Sequence, residues 1–334
     1  MDGGFGNVNG NKLLELLKGT DDYVSGEWIS EQLGISRTAV WKHIQALRSR
    51  GYTFEAIPRR GYRLTGMPDA VDAARVQALL QTRVFGRKLK VFAEAESTQR
   101  LAHDWVREGA PEGAVVVADR QTAGRGRMGR QWHSPPGKGL WFSMVLMPRL
   151  NVGRVPQLTL VAAAALCRSL RRETGLDIGI KWPNDLLIRG RKCCGILIES
   201  IAEDERLQYA VAGIGLNVNL DAADFPPDLR ETATSLSIEA GAAFDRERLF
   251  ASFLNEWESM YGLYLHRGFG VIRTIWEAHN ATLHRRVAVA TPEGETAGVA
   301  VAVDEHGGLV LRRDDGSHVT VYAGELHYTA GGPR

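Results

Sequence analysis

The chain has 334 residues, of which 44% are hydrophobic and 24% charged, with a formal net charge of +2 and three cysteines. That length allows two or three domains with a sizeable core, and so few cysteines exclude a disulfide framework or a zinc site of paired thiolates. The near-neutral charge neither demands nor excludes an anionic partner. No run of about 18 apolar residues occurs, and the opening MDGGFGNVNG lacks a hydrophobic signal segment, which predicts a cytoplasmic protein with no membrane contact.

Residues 1–10 are expected to be a disordered tail, and residues 11–66 to form the first domain. Leu13–Leu17 places leucines on one helical face. Ser25 is positioned to cap a helix that runs to Leu33 and stops at Gly34, and Ser36 to cap a second through Arg48, with Val40, Ile44 and Leu47 at helical spacing. Tyr52–Ile57, the turn Pro58–Gly61 and Tyr62–Leu64 then read as a β-hairpin. Helices followed by a hairpin in this order predict a winged helix-turn-helix. Seven basic residues against one acid, Glu55, lie between Gly34 and Gly66, whereas the first 33 residues hold six acids and two lysines. Positive charge on the second helix of the motif and on the hairpin predicts DNA binding. Ser36, Arg37, Thr38, Trp41, Lys42 and Gln45 are the candidate groove contacts, and Arg59 and Arg60, with Arg63, the candidate phosphate contacts. Domains of this kind read paired half-sites, so a homodimer is expected.

A break at Gly66-Met67-Pro68-Asp69 opens the middle segment, residues 70–270. Strand-like runs at Leu89–Phe92, Ala114–Ala118, Leu140–Met147, Cys194–Ile201 and Tyr209–Val218 alternate irregularly with helical patterns at Thr98–Glu108, Val155–Glu173 and Asp245–His266, which predicts an α+β fold. Cys193 and Cys194 fall in one strand run and, with Cys167, read as reduced and buried. In residues 283–330 four short strands broken by glycine turns (Val287–Ala290, Thr296–Val303, Leu309–Arg312, His318–Ala323) predict a small β-barrel.

The stretch from Gln121 to Arg130 carries Gly124, Gly126 and Gly129 with Arg125, Arg127 and Arg130. It matches a dinucleotide-binding fingerprint in form only: turn residues follow it where a helix belongs, and Arg149 stands where a ribose-binding acid belongs. What remains is a glycine loop whose backbone N–H groups and guanidiniums suit a phosphate. Lys181-Trp182-Pro183-Asn184-Asp185 puts a lysine at a strand end ahead of a forced turn. Neither motif decides the matter alone.

Together with Glu96-Ser97-Thr98, Gly195–Glu199 and Gly213–Asn217, these motifs resemble the biotin–protein ligase family, and within it the members that also repress biotin-synthesis genes. The resemblance spans nearly the whole chain. It implies a winged helix, a mixed α/β ligase domain around a β-sheet and an SH3-like C-terminal barrel. It also implies a two-step reaction in which biotin and ATP give biotinyl-5′-adenylate and pyrophosphate, and a lysine of the biotin carboxyl carrier protein, an acetyl-CoA carboxylase subunit, then accepts biotin. The adenylate would serve as corepressor, with operator DNA bound by a dimer. Carried onto this chain, Ser97, Thr98, Gln99 and Gln121 become candidate biotin contacts, with Gly124, Arg125, Gly126, Arg127 and Lys181. Arg127, Trp132 and Asn217 become candidate nucleotide contacts, and Lys181, Arg125 and Arg127 the candidate catalytic groups. Gln99 stands where the family commonly has asparagine, so its longer arm places that one contact in question. ATP chemistry implies Mg2+, for which no carboxylate cluster marks a site. His103, His133, His279 and His284 are read as structural or surface residues. Two rivals are a repressor built on an inactive ligase core and a lipoate or octanoyl transfer enzyme.

Overall fold

The structure, a computed structural model, describes residues 5–20, 22–49, 52–66, 71–291 and 294–329. At the N-terminus three helices, α1 (Phe5–Lys18), α2 (Gly26–Leu33) and α3 (Arg37–Ser49), precede a two-stranded antiparallel hairpin, β1 (Thr53–Ile57) and β2 (Gly61–Gly66). The caps are where the side-chain chemistry demands them. Ser25 Oγ accepts the Trp28 N–H at 3.1 Å, Ser36 Oγ accepts that of Ala39 at 3.2 Å, and Gly34, at φ 63, closes α2. Leu13, Leu14, Leu17, Ile29, Val40, Ile44 and Leu47 bury against Tyr52 and Phe54 as a small core of their own. The expected tail over 1–10 needs correction: α1 begins at Phe5, and Gly10 is buried against His43 of α3. Packing overrides the poor helix propensity of glycine there. Residues 1–4 lie outside the described residues.

The middle of the chain holds α4 (Ala73–Leu79), β3 (Leu89–Ala95), α5 (Thr98–Arg107), β4 (Val115–Gln121), β5 (Gly139–Leu146), α6 (Val155–Thr174), β6 (Ile178–Lys181), β7 (Asp185–Ile188), β8 (Arg191–Glu203), β9 (Arg206–Asn217), α7 (Leu236–Ala240), α8 (Arg246–Arg267) and α9 (Phe269–Ala278). The strands make one seven-stranded sheet in the order β3-β4-β5-β9-β8-β7-β6, antiparallel except for β3 with β4. Period-2 alternation splits its residues between two layers. Val116, Val145 and Val211 pack with Ala102 of α5, whereas Val115, Val117, Phe142 and Met144 pack with α6 and α8. β5 is buried along its whole length because both faces are covered. The three cysteines are buried and free.

The C-terminal segment has five strands, not the four expected: β10 (Arg286–Thr291), β11 (Gly294–Val303), β12 (Leu309–Arg312), β13 (His318–Val321) and β14 (Glu325–Tyr328), ordered β13-β12-β11-β10-β14 and all antiparallel. β14 is only four residues long, so the alternation of Glu325-Leu326-His327-Tyr328 is too brief to mark a strand by itself; pairing with β10 makes it one. This sheet shares its apolar core with the middle segment of the chain. Trp182 is fully buried, its indole N–H donates to Gly307 O at 3.1 Å, and its backbone N–H donates to Thr282 Oγ1 at 2.9 Å. Among the described residues no helix is long and apolar enough to cross a membrane.

Candidate active site

A cleft of about 540 Å³ opens between the loop after β4, the ends of β6 to β9 and strand β14. Its floor is a chain of polar contacts. The Thr98 N–H and Oγ1–H both donate to Gln121 Oε1, at 2.9 and 3.1 Å, and Gln121 Nε2 donates to Ser134 Oγ at 2.9 Å. Thr98 Oγ1 lies 2.9 Å from Ser143 Oγ, which donates to Gln99 Oε1 at 3.0 Å; Gln99 Nε2 in turn donates to Val211 O at 2.9 Å. Gln99 is therefore committed to β5 and β9. Ser97 differs: its Oγ is buried and has no hydrogen-bond partner among the described residues, although it stands at the N-cap of α5. A buried hydroxyl left unmade costs about 1–3 kcal/mol, so a partner from outside the chain is the economical explanation.

The glycine loop rises over this floor. Trp132 N–H donates to Gly124 O at 2.8 Å and Gly126 N–H to Arg130 O at 2.7 Å, which folds the loop back on itself. Met128 and Gly129 turn its tip in the left-handed region, with φ 55 and 75. Arg127 is half-buried and donates to Asn184 Oδ1 at 2.9 Å, while Asn184 Nδ2 donates to Ile196 O at 2.8 Å. Burial lowers the Arg127 pKa from its ordinary value. Arg125 is exposed at the rim, and Arg130 pairs with Glu325 of β14.

Trp132 lies flat on the sheet. Gly195 and Gly215 are paired on β8 and β9, and a Cβ at either would sit 2.8 Å and 2.3 Å from the indole ring. Only glycine leaves room, so these two positions form the bed of the ring. Asn217 ends β9, buried, with its amide donating to Thr234 O at 3.0 Å. Lys181 ends β6, its Nζ 5.6 Å from the centre of the Tyr328 ring. Burial pushes its ammonium below the usual lysine range, Asp185 opposes that shift, and the neighbouring ammonium of Lys192 adds to it. Among the described residues no carboxylate comes within ion-pair distance of Lys181.

The DNA-facing expectation maps onto one surface. Arg37, Thr38, Trp41 and Lys42 are exposed on α3 and Gln45 is partly so; Ser36 is spent as the cap of that helix. Arg59 and Arg60 are exposed at the hairpin turn. Arg37 pairs with Glu27 at 3.0 Å and Arg60 with Asp22 at 3.2 Å, both at high exposure and hence weak.

Comparison with known proteins now bears on these residues. The model of the biotin/lipoate A/B protein ligase family matches residues 91–217, an HTH domain matches 10–63 and the biotin protein ligase C-terminal domain matches 282–326. The chain is 42% identical to the bifunctional ligase/repressor BirA of Bacillus subtilis, over 91% of its own length and 94% of that protein. This chain belongs to the biotin–protein ligase family. The ligase is also 30% identical to BirA of Escherichia coli over 91% of its length and 92% of that protein. It superposes on the biotin protein ligase of Aquifex aeolicus in complex with biotin and ATP at a TM-score of 0.63, with 29% identity, over 73% of this chain and all of that one.

The ligase site contains residues that sequence reasoning passed over. Lys192 is the main one: its Nζ lies 2.7 Å from Asp185 Oδ1 and 5.2 Å from the centre of the Trp132 ring. A signal was present in Arg189-Gly190, both at positive φ, which make a two-residue hairpin turn that folds β8 back along β7 and sets Lys192 opposite Leu187. Ser134 and Ser143 complete the polar floor, and Glu325 and Tyr328 come from β14, the strand too short to be read from its period. Of the histidines, His103 lies between Tyr209 Oη (3.1 Å) and Glu199 Oε2 (3.3 Å), and His133 Nε2 lies 2.8 Å from Asp224 O. His103 lies outside the cleft, whereas His133 is part of its lining.

Proposed function

We propose that this ligase condenses biotin with ATP and passes the biotinyl group to a lysine of a biotin carboxyl carrier protein, and that the adenylate turns the same chain into an operator-binding repressor dimer. One observation carries the chemical half: a single cleft holds a buried hydroxyl with no hydrogen-bond partner among the described residues, five lysine and arginine side chains and an indole bedded on glycines. In the first step a biotin carboxylate oxygen attacks the α-phosphorus of ATP, the bond to the bridging oxygen breaks and pyrophosphate leaves. In the second the carrier's lysine amine, having lost its proton, attacks the acyl carbon and AMP departs with the anhydride electrons.

Ser97, Thr98 and Gln121 would hold the ureido ring at the floor. Lys181, Lys192 and Arg127 would neutralise charge gathering on the phosphate and carboxylate oxygens, in a half-buried setting where such charges interact more strongly than in water. Arg125, exposed at the rim, would join them as the loop with Gly124 and Gly126 closes. Trp132 would receive the adenine, with Asn217 at the end of the same bed. Gln99 supports the floor from behind. Magnesium would come with ATP: the cleft is mainly cationic, Asp185 is already paired with Lys192, and among the described residues no three His, Cys, Asp or Glu side chains converge. No step is assigned to it.

The helices and hairpin of residues 11–66 are read as a winged helix-turn-helix, 70–270 as the catalytic domain and 283–330 as an SH3-like barrel. The exposed basic face of α3 and the hairpin turn support operator contact. ATP–pyrophosphate exchange tests the chemical half. Exchange that requires biotin and collapses in Lys192→Ala and Lys181→Ala establishes adenylation, whereas a folded protein that binds biotin but shows no exchange is a sensor built on an inactive core.

A further inference from the structure

Outside the cleft, a cluster of three carboxylates surrounds the buried Arg75 of α4, the first helix after the DNA-reading unit. Its side chain is 2% exposed. One guanidinium nitrogen donates to Asp245 Oδ1 at 2.7 Å and Glu247 Oε2 at 3.0 Å, and the other to Glu15 Oε1 at 2.5 Å and to Asp245 Oδ2. Glu15 belongs to α1; Asp245 and Glu247 flank the start of α8 in the catalytic domain. A second tie runs beside it, from Tyr52 Oη to Asp72 Oδ2 at 3.3 Å, and the Asp72 N–H donates to Glu247 Oε1 at 3.2 Å.

The residue between the two carboxylates faces the other way. Arg246 donates to Asp119 Oδ1 at 2.7 Å and to Gly139 O at 3.2 Å, and Asp119 Oδ2 accepts the Gly137 N–H at 2.8 Å. Both members of that ion pair are more than nine-tenths buried. Asp119 lies two residues before Gln121 on β4, and Gly137 and Gly139 end the segment that starts at Trp132. One helical turn thus grips the DNA-reading unit through Arg75 and, through Arg246, the strand and segment that lead to Gln121 and Trp132 of the cleft. A buried, hydrogen-bonded ion pair has steep distance dependence, because separating its charges leaves each desolvated and unpaired.

We propose that the first turn of α8 couples occupancy of the cleft to the placement of the DNA-reading unit, with Arg75 as the positioning residue that joins them. The proposal rests on the ligase–repressor function above. It assigns no catalytic duty to Arg75, which touches no part of the cleft.

Glu15 is the place to test it, because it is 55% exposed and its change to glutamine leaves the core intact. Amide hydrogen exchange is followed in α1 and α3 of the full chain, with and without biotin plus ATP, for the unaltered protein, Glu15→Gln and Arg75→Lys, alongside pyrophosphate exchange. The unaltered protein should show a ligand-linked change in those helices. Glu15→Gln should reduce that change by about fivefold or more, the low end of ordinary site–site coupling, with pyrophosphate exchange untouched. Arg75→Lys, which keeps the charge and loses the fork, should do the same. A full response in both variants, or none in the unaltered protein while pyrophosphate exchange proceeds, would overturn the coupling alone. Absence of biotin-dependent exchange in the unaltered protein would overturn the function on which it rests.

Discussion

Gly215 shows how much a single missing side chain decides. The indole of Trp132 occupies the volume a Cβ would take, 2.3 Å from its atoms. Gly215→Ala therefore has to lift the ring, at an overpacking cost of about 1–3 kcal/mol. If Trp132 carries the adenine, KM for ATP should rise about tenfold for each 1.4 kcal/mol of that cost transferred to binding, with KM for biotin little changed; equal rises in both would place the indole elsewhere. Lys181 makes a pH-dependent claim. Its ammonium is depressed below the ordinary 10.5 by burial, so in the free protein it loses its proton sooner than a surface lysine. An anion beside it favours the charged form. Adenylate affinity should thus be full at pH values below the depressed pKa and fall as pH rises through it toward 10.5. Binding constants measured by calorimetry over that range should show the fall, and Lys181→Met should flatten it. An unchanged profile in that variant would assign the titration to another group.

At the scale of elements, the glycine loop is anchored at its start by the Thr122 and Ala123 N–H groups, which donate to Ala95 O and Glu96 O, and beyond Ala123 it is held among the described residues by its own turn, the Arg127–Asn184 contact and the pairing of Arg130 with Glu325. Such a segment opens at low cost and closes over a ligand that water would hydrolyse. Arg127→Gly removes the contact with Asn184 and the charge together. The adenylate should then dissociate faster, by about tenfold for each 1.4 kcal/mol lost, as read by release of labelled intermediate from the preformed complex. Retention equal to that of the unaltered protein would remove the loop from this role. The fifth strand of the C-terminal sheet belongs to the same argument, since it supplies Glu325 to the loop and Tyr328 to Lys181.

Across the whole molecule, the surface proposed to read DNA and the cleft proposed to form the adenylate lie apart, with α4 and α8 between them. Arg37→Ala with Lys42→Ala strips two exposed cations from α3 and touches nothing in the cleft. Pyrophosphate exchange should be unaltered. Binding of a fluorescent promoter fragment from the biotin-synthesis genes should weaken, and its log–log salt slope should drop by about 2. Loss of both activities would show that the surfaces are not independent.

Much of this was legible in the chain itself, and the reason is locality. Ser25, Gly34 and Ser36 act on backbone within three residues, so the ends of α2 and α3 could be read from side-chain chemistry. The long runs around Val115, Leu140 and Tyr209 announced sheet by period, and the glycine loop and Lys181–Asp185, singled out by residue type, meet in one cleft. Tertiary structure alone decided what depends on contacts between distant segments. Gln99 turned out to brace β9, Ser97 to be the hydroxyl left unpaired, and Lys192 to share the cleft with Lys181 once the hairpin folded back. β14 became a strand only by pairing with β10, and α1 runs through Gly10, which is buried against His43 of α3. Arg75 gave no sign in the sequence at all: an arginine on a short helix reads as solvated, and only the fold brings three carboxylates from two domains around it.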